Sequence, residues 1–187
     1  MIDGTVSVSV RAQAKKSHLA AAFLAASSLD QRNSALRAMA SALRSNADRI
    51  AAANALDMEN ARRMVSAGEM SQALLNRLEL SGVKIEHLAA GIEQLATLPD
   101  PLNRVTLETE IDDGLRLSRV TCPIGLIGVI FESRPDALPQ IISLCLKSGN
   151  AVILKGGTEA AHSNRALAGI LNVAHESSRS FLDTPIS

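Results

Sequence analysis

The sequence predicts an α/β protein, in which a helical N-terminal segment precedes a β-hairpin and the first strand–helix–strand–helix of an incomplete parallel sheet. Three observations predict this class. Residues 8–98 contain no proline and combine helix-forming residues with apolar positions three and four apart. Alternating β-branched and polar residues then flank an Asp-Asp-Gly turn. After that turn, two short apolar runs alternate with two helical stretches.

The helical N-terminal segment is predicted to span residues 1–101. Its clearest amphipathic stretch places Leu36, Met39 and Leu43 on one face, with Asp30 as the predicted N-cap. Helices are predicted over residues 30–46, 46–65 and 85–98. A Pro-Asp-Pro sequence ends the segment, because proline cannot continue a helix.

The β-hairpin is predicted over residues 102–122. Two runs of alternating apolar and polar residues lie on either side of Asp112-Asp113-Gly114, and such a turn between alternating runs is typical of a hairpin.

Residues 123–174 predict the start of a nucleotide-binding sheet. Strands are predicted over 124–131 and 151–154, and helices over 136–147 and 158–174. Ligands of such sheets bind beyond the carboxyl ends of the parallel strands. The loops after the two strands, 132–136 and 155–159, are therefore predicted to meet at one rim, which is the candidate site.

The first loop carries Ser133 and Arg134 just before a helix N-terminus. Backbone N–H groups at such a position favour an anion, and a guanidinium adds a fixed positive charge. Both residues are candidates for binding a substrate or another anion. The alternative is a surface arginine that pairs with Glu132 or Asp136, and the sequence leaves both interpretations open.

The second loop carries Lys155 directly after a buried strand, followed by Gly156 and Gly157. The lysine is the better-placed cation for a ribose or phosphate, and the glycines allow a ligand or a neighbouring backbone to approach closely. A solvated loop lysine is the alternative. Glu159 is either an acceptor for a ribose hydroxyl or a favourable charge at a helix N-terminus.

Composition argues against several other classes. Nineteen basic residues balance nineteen acidic ones and Trp and Tyr are absent, which argues against a nucleic-acid partner. No apolar run approaches the length of a membrane span and no secretory signal pattern is present, so a cytoplasmic protein is expected. Cys122 and Cys145 are predicted to be free thiols rather than nucleophiles. The four histidines lack the spacing of metal ligands, so no metal is expected.

A resemblance to a known family lies in the stretch RVTCPIGLIGVIFESRPDALPQIISLCLKSGNAVILKGGTEA. It resembles the signature of the gamma-glutamyl phosphate reductases, which belong to the aldehyde dehydrogenase superfamily. The upstream stretches RIAAANALDMENAR, SQALLNRLEL and LATLPDP are similar to the helical part of that family. The resemblance covers roughly residues 16–171.

The resemblance implies an enzyme of proline biosynthesis that uses NADPH to reduce gamma-glutamyl phosphate to glutamate 5-semialdehyde and phosphate through a cysteine thiolate. Residues 123–174 would then be a partial NADPH-binding domain. Lys155 would contact the adenosine ribose of the cofactor, with Gly156 and Gly157 leaving room for it, and Glu159 is added as a cofactor-binding candidate from its position alone. Ser133 and Arg134 would line the rim near the substrate or the nicotinamide, a role that the resemblance supports less directly than the role of Lys155. The hairpin resembles the segment through which superfamily members dimerise, which implies a homo-oligomer.

The family keeps its nucleophilic cysteine after the completed sheet, whereas residues 175–187 show no family resemblance. No catalytic residue is therefore assigned. The expectation is a truncated or fragmentary reductase that is inactive alone. The alternative is a non-catalytic dimerisation module, or a split half that needs a separate C-terminal catalytic chain. A free-standing nucleotide-binding domain is a third alternative.

Overall fold

A computed structural model describes the backbone of residues 4–177 and the side-chain surroundings of residues 10–172. The elements are, in chain order, α1 (Gly4–Ala26), α2 (Leu29–Ser45), α3 (Ala47–Ser66), α4 (Gln72–Leu78), α5 (Gly82–Thr97), β1 (Val105–Asp112), β2 (Leu115–Val120), β3 (Leu126–Ile130), α6 (Ala137–Lys147), β4 (Ala151–Lys155), a short 3-10 helix (Thr158–Ala160) and α7 (Ala161–Ser177). The predicted fold class is confirmed. The predicted tail begins inside α7, and its residues 178–187 lie outside the described residues.

The N-cap of α2 is Ser28, and Asp30 lies in the first turn instead of capping it. The Ser28 hydroxyl accepts the N–H of Gln31 at 3.2 Å, and the Gln31 side chain accepts the N–H of Ser28 at 2.8 Å. This capping box satisfies two N–H groups that lack helical partners, one through each side chain. The prediction of Asp30 as the cap was wrong.

Helix α4 was not predicted. It has only seven residues, too few for a helical repeat of apolar positions to stand out. Ser71 caps it by accepting the N–H of Leu74 at 3.3 Å. Leu75 and Leu78 pack with Ala61 and Ala160 in a small cluster of their own. The short helix therefore joins α3 to the loop after β4.

One core cluster spans both the helical segment and the nucleotide-binding segment. Its members come from α1, α2, α3, α5, α6, β4 and α7, and include Leu24, Leu36, Met39, Leu43, Ile50, Ile85, Ile92, Leu138, Ile142, Ala151, Leu167 and Leu171. Leu36, Leu43, Leu167 and Leu171 are fully buried, and each such side chain contributes roughly 1.5–3 kcal/mol. The N-terminal helices are thus a supporting layer of the sheet segment.

The hairpin stands apart from this core. Gly114 adopts the left-handed conformation (φ 72°) that its tight turn requires. Thr109 lies opposite Leu117, and every residue of both strands is exposed. Leu107, Ile111 and Leu117 are 51%, 57% and 58% exposed. Within the part of the chain that the structure describes, the apolar side chains of the hairpin are uncovered.

Strands β3 and β4 are parallel and in register from Leu126 opposite Ala151 to Ile130 opposite Lys155. Helix α1 packs against both strands, and α6 packs against β4. The Asn150 side chain accepts the N–H of Gly125 at 2.8 Å at the start of the pair. The carboxyl ends of both strands therefore lie at one edge. None of the described helices combines the length and apolarity needed to cross a membrane.

Lys147 links three helices from a buried position. Its side chain is only 3% exposed. Its Nζ donates to the carbonyl of Leu98 at 2.7 Å, just beyond α5, and to the Oδ1 of Asn33 on α2 at 2.8 Å. Burial lowers the pKa of Lys147, even though the Asp100 carboxylate acts in the opposite sense. The amine thus joins the end of α6 to α2 and α5.

Candidate functional site

The predicted rim is present, because the register of the two strands brings their following loops together. Beyond the last residue pair, the N–H of Phe131 donates to the carbonyl of Lys155 at 3.1 Å. The first loop then continues through Ser133 and Arg134, and the second through Gly156 to Glu159.

A carboxylate joins the two loops. Glu159 Oε1 accepts a hydrogen bond from the backbone N–H of Ser133 and a second one from Ser133 Oγ at 3.0 Å. We call this pair the Glu159–Ser133 latch. Hydrogen bonds to a charged acceptor are about twice as strong as neutral ones, so the latch is a strong contact between the two loops. Neither interpretation of Glu159 from the sequence included it.

Ser133 has an unusual backbone conformation for a residue with a side chain. Its φ is 51°, in the left-handed region, and only 7% of the residue is exposed. This conformation costs an ordinary residue roughly 1–2 kcal/mol. The two hydrogen bonds from Ser133 to Glu159 offset that cost.

The two glycines make room for neighbouring side chains. A Cβ at Gly157 would clash with the Glu159 carboxylate, and one at Gly156 would clash with the Asn164 amide and lie 3.3 Å from Phe131. The space that was predicted to admit a cofactor therefore holds protein groups. A contact between either glycine and a cofactor stays a prediction.

The two cations of the rim are both exposed. Arg134 is 58% exposed, and its guanidinium lies 3.3 Å from the carboxylate of Asp136. The sequence left open a pairing of Arg134 with Glu132 or Asp136, and the structure shows the second. Lys155 is exposed, and its positive charge acts on the Glu159 carboxylate.

The carboxyl of Glu159 is held in its charged form. Burial by itself would raise its pKa, but hydrogen bonds from its own N–H and from Ser133, together with the charge of Lys155, lower the pKa below the ordinary 4.5. A negative charge therefore lies between two loops that each carry a positive one.

The helix behind the rim begins at a buried carboxylate that was not predicted. Asp57, on α3, accepts the N–H of His162 at 3.1 Å and the N–H of Ser163 at 2.7 Å. It also lies 2.8 Å from the His162 ring nitrogen and 2.6 Å from Ser163 Oγ. The nearby Asn54 donates to Ser163 Oγ at 3.1 Å. These contacts fix the start of α7 and hence the loop before it.

Two openings lie beside the rim. A cavity of about 400 Å³ is lined by Asp57, Asn60, Ala61, Met64, Met70, Leu74, Glu132, Ser133, Thr158, Glu159 and His162. A groove of about 620 Å³ between α5 and α6 is lined by Lys84, His87, Leu88, Gly91, Ile92, Gln94, Leu95, Leu98, Asp136, Gln140, Ser143 and Leu144. Both residues of the latch line the cavity. The lining of the groove includes Asp136, which follows Arg134 by two residues in the sequence.

The two cysteines of the chain lie outside the rim. Cys145 is buried in α6, and burial raises the pKa of its thiol. Cys122 is exposed just before Pro123, between the hairpin and β3. Within the described residues, no group of His, Cys, Asp and Glu side chains could hold a metal ion.

Comparison with known proteins identifies sequence relatives. No protein-family model matches the chain. A gamma-glutamyl phosphate reductase of Methanococcoides burtonii is 48% identical over 167 residues, covering 89% of this chain and 36% of that protein. One of Haloquadratum walsbyi is 54% identical over 137 residues, covering 73% and 30%. The chain thus spans about a third of the length of these relatives.

Solved structures give the same result. The gamma-glutamyl phosphate reductase of Saccharomyces cerevisiae matches with a TM-score of 0.85 at 38% identity, over 92% of this chain and 43% of that one. The Thermotoga maritima reductase gives 0.82 at 33% identity, over 92% and 40%. An acetylating aldehyde dehydrogenase of Geobacillus thermoglucosidasius gives 0.67 at 18% identity, over 100% and 38%, a likeness of fold alone.

Proposed function

The chain is homologous to the N-terminal part of the gamma-glutamyl phosphate reductases, as its sequence motifs predicted, and we propose that it supplies the cofactor and anion loops for the NADPH-dependent reduction of gamma-glutamyl phosphate. The observation that carries the proposal is the meeting of the two loops at one rim. The loop with Ser133 and Arg134 is joined there to the loop after Lys155 by the hydrogen bonds from Ser133 to Glu159.

The residues of the second loop fit a dinucleotide. The ammonium of Lys155 suits a ribose or phosphate oxygen, and the Thr158 hydroxyl and the second carboxylate oxygen of Glu159 suit ribose hydroxyls. The bound cofactor would supply the hydride that reduces the acyl group to the aldehyde. The role proposed for this chain is to bind and orient the cofactor.

The residues of the first loop suit the acyl phosphate. The Arg134 guanidinium can exchange its 3.3 Å contact with Asp136 for the phosphate of the substrate, because a planar fork matches phosphate oxygens. The groove between α5 and α6, which Asp136 helps to line, has an apolar wall and is also lined by Lys84 and His87. This arrangement suits the aliphatic chain and the carboxylate of a glutamyl group.

The chemical step needs a thiolate that displaces phosphate, and we propose that neither cysteine of this chain supplies it. Cys145 is buried with a raised pKa, and Cys122 lies outside the rim. The 187 residues alone are therefore proposed to bind ligands without turnover. Cytoplasmic location remains part of the proposal.

Binding of NADPH to the purified chain tests the proposal. We expect saturable binding that Lys155→Ala weakens about tenfold or more, because a charged contact to phosphate or ribose is lost. Lys16→Ala, at an exposed lysine of α1, is the matched control and should bind as the wild type does. A flat titration of the wild-type chain would contradict the cofactor role.

Self-association is a second proposed role, and the uncovered apolar side chains of the hairpin favour it. A two-stranded ribbon with apolar side chains in water is only marginally stable by itself. Pairing with the hairpin of a second copy would remove Leu107, Ile111 and Leu117 from water.

A further inference from the structure

We propose that Glu159 is a positioning residue: it holds Ser133, and through Ser133 the direction of Arg134, so that binding at the Lys155 loop and anion binding at Arg134 are coupled through one carboxylate. The identity of the two ligands rests on the proposed function. The latch itself does not.

The latch uses one oxygen of the carboxylate. Both hydrogen bonds from Ser133 go to Glu159 Oε1, and the N–H of Glu159 itself is the other donor to this carboxylate among the described residues. The same side chain lines the 400 Å³ cavity together with Thr158 and His162. One oxygen can therefore hold the first loop while the other accepts a hydrogen bond from a ligand at the second loop.

Ser133 transmits the effect of the latch to Arg134. On its C-terminal side, Arg134 is held by the first turn of α6, because the Arg134 carbonyl accepts the N–H of Ala137 at 3.0 Å. On its N-terminal side, Arg134 follows Ser133, and the left-handed φ of 51° at Ser133 sets the direction in which the chain leaves β3. Without the latch, Ser133 would relax toward negative φ, where residues with a side chain are more stable. The guanidinium would then move relative to the rim.

Hydrogen exchange of the Ser133 amide tests the latch in the chain without any ligand. Glu159→Gln keeps a carbonyl oxygen that can accept this N–H but loses the charge, and Glu159→Ala loses both. We expect protection of the Ser133 amide to fall in the order wild type, Glu159→Gln, Glu159→Ala, by about tenfold or more over the series. Glu132→Gln, at an exposed glutamate of the same loop, should leave protection unchanged.

Binding of inorganic sulfate separates positioning from simple electrostatics. Removal of a negative charge beside Arg134 should by itself strengthen anion binding. That result is expected for Glu132→Gln. If Glu159 positions Arg134, Glu159→Ala should instead weaken sulfate binding several-fold despite its lost negative charge, and Glu159→Gln should restore part of the affinity.

Three results would overturn the inference. They are unchanged Ser133 protection in Glu159→Ala, sulfate binding by that variant at least as tight as in the wild type, and no sulfate binding by the wild type. Failure of the proposed function gives a different result. NADPH would then not bind to the wild type, while the exchange and sulfate differences between variants would remain.

Discussion

The Asp57 carboxylate on α3 accepts hydrogen bonds from both the N–H and the Oγ of Ser163, at 2.7 and 2.6 Å, although the residues are 106 positions apart. Ser163 is fully buried and Asp57 is 2% exposed. A helix N-terminus from the sheet segment is thus capped by a side chain of the helical segment. The position of the second rim loop depends on this contact.

Asp57→Asn should destabilise the fold by about 2–3 kcal/mol, because an amide keeps only one acceptor oxygen and leaves buried donors unpaired. Urea unfolding followed by circular dichroism measures this. Asp113→Asn, at the exposed hairpin turn, is the control and should change stability by less than about 0.5 kcal/mol. Equal stability of the two variants would contradict the role of Asp57.

Lys147→Met should destabilise the fold by about 1–3 kcal/mol, since the Leu98 carbonyl and the Asn33 side chain lose a buried donor. Methionine fills a similar volume, so the effect reports hydrogen bonding more than packing. Thermal unfolding measures it, with Lys15→Met, at an exposed residue of α1, as the reference. A variant as stable as the wild type would show that the buried amine is dispensable.

Gly157→Ala should be less favourable to stability than Gly91→Ala by about 1 kcal/mol, because its Cβ would displace the Glu159 carboxylate and break the latch. The backbone of Gly157 has φ −71°, which alanine adopts freely, so the difference between the two Gly→Ala variants reports the clash. The control is Gly91→Ala, where a Cβ meets nothing within 4 Å. It should stabilise α5 by about 0.5–1 kcal/mol. The prediction fails if both variants shift the unfolding midpoint by the same amount in the same direction.

The contribution of Glu159 to stability should depend on pH in the acid range. Its pKa is lower in the folded chain than the ordinary 4.5. The unfolded chain therefore binds the proton more readily, so this stability is present above about pH 4.5 and is lost as pH falls through the folded pKa. The difference in unfolding free energy between wild type and Glu159→Gln should shrink below that pH. For a partly exposed group it should be about 1 kcal/mol or less at neutral pH.

Leu117→Lys should abolish self-association of the chain without unfolding it, because the position is 58% exposed and a lysine would place charge in the proposed contact. Light scattering gives the mass and circular dichroism checks the fold. Ser118→Lys, at the neighbouring position on the opposite face of β2, should leave association unchanged. If the wild-type chain is monomeric, the proposed role of the hairpin in self-association is contradicted.

Periodicity and turn chemistry in the sequence were sufficient to predict the main elements of the fold. The spacing of Leu36, Met39 and Leu43 identified the buried face of α2, and Asp113-Gly114 identified the hairpin turn. The meeting of the two loops also followed from sequence, because parallel strands must end at the same edge. These features depend on residues that are close in the chain or on a general rule of topology.

The contacts that hold the site together could not be predicted in this way. Asp57 and Ser163 lie on different helices, and nothing in the residues around either one indicates the other. The Gly156-Gly157 pair indicated a close approach, but the absence of a Cβ does not reveal which group fills the space. Here those groups are Asn164 and Glu159. Glu159 could have been suspected from its position after two glycines, where a carboxylate can fold back.

The core cluster that contains both Leu36 and Leu171 has a consequence for synthesis on the ribosome. Residues of α2 can form a helix as soon as they emerge, but their apolar face is covered fully only when α7 has been made, 135 residues later. Domains fold as units during translation, so this one completes its core late. During that interval the nascent chain exposes the α2 and α5 faces, and we expect it to be a substrate for chaperones that bind apolar helices.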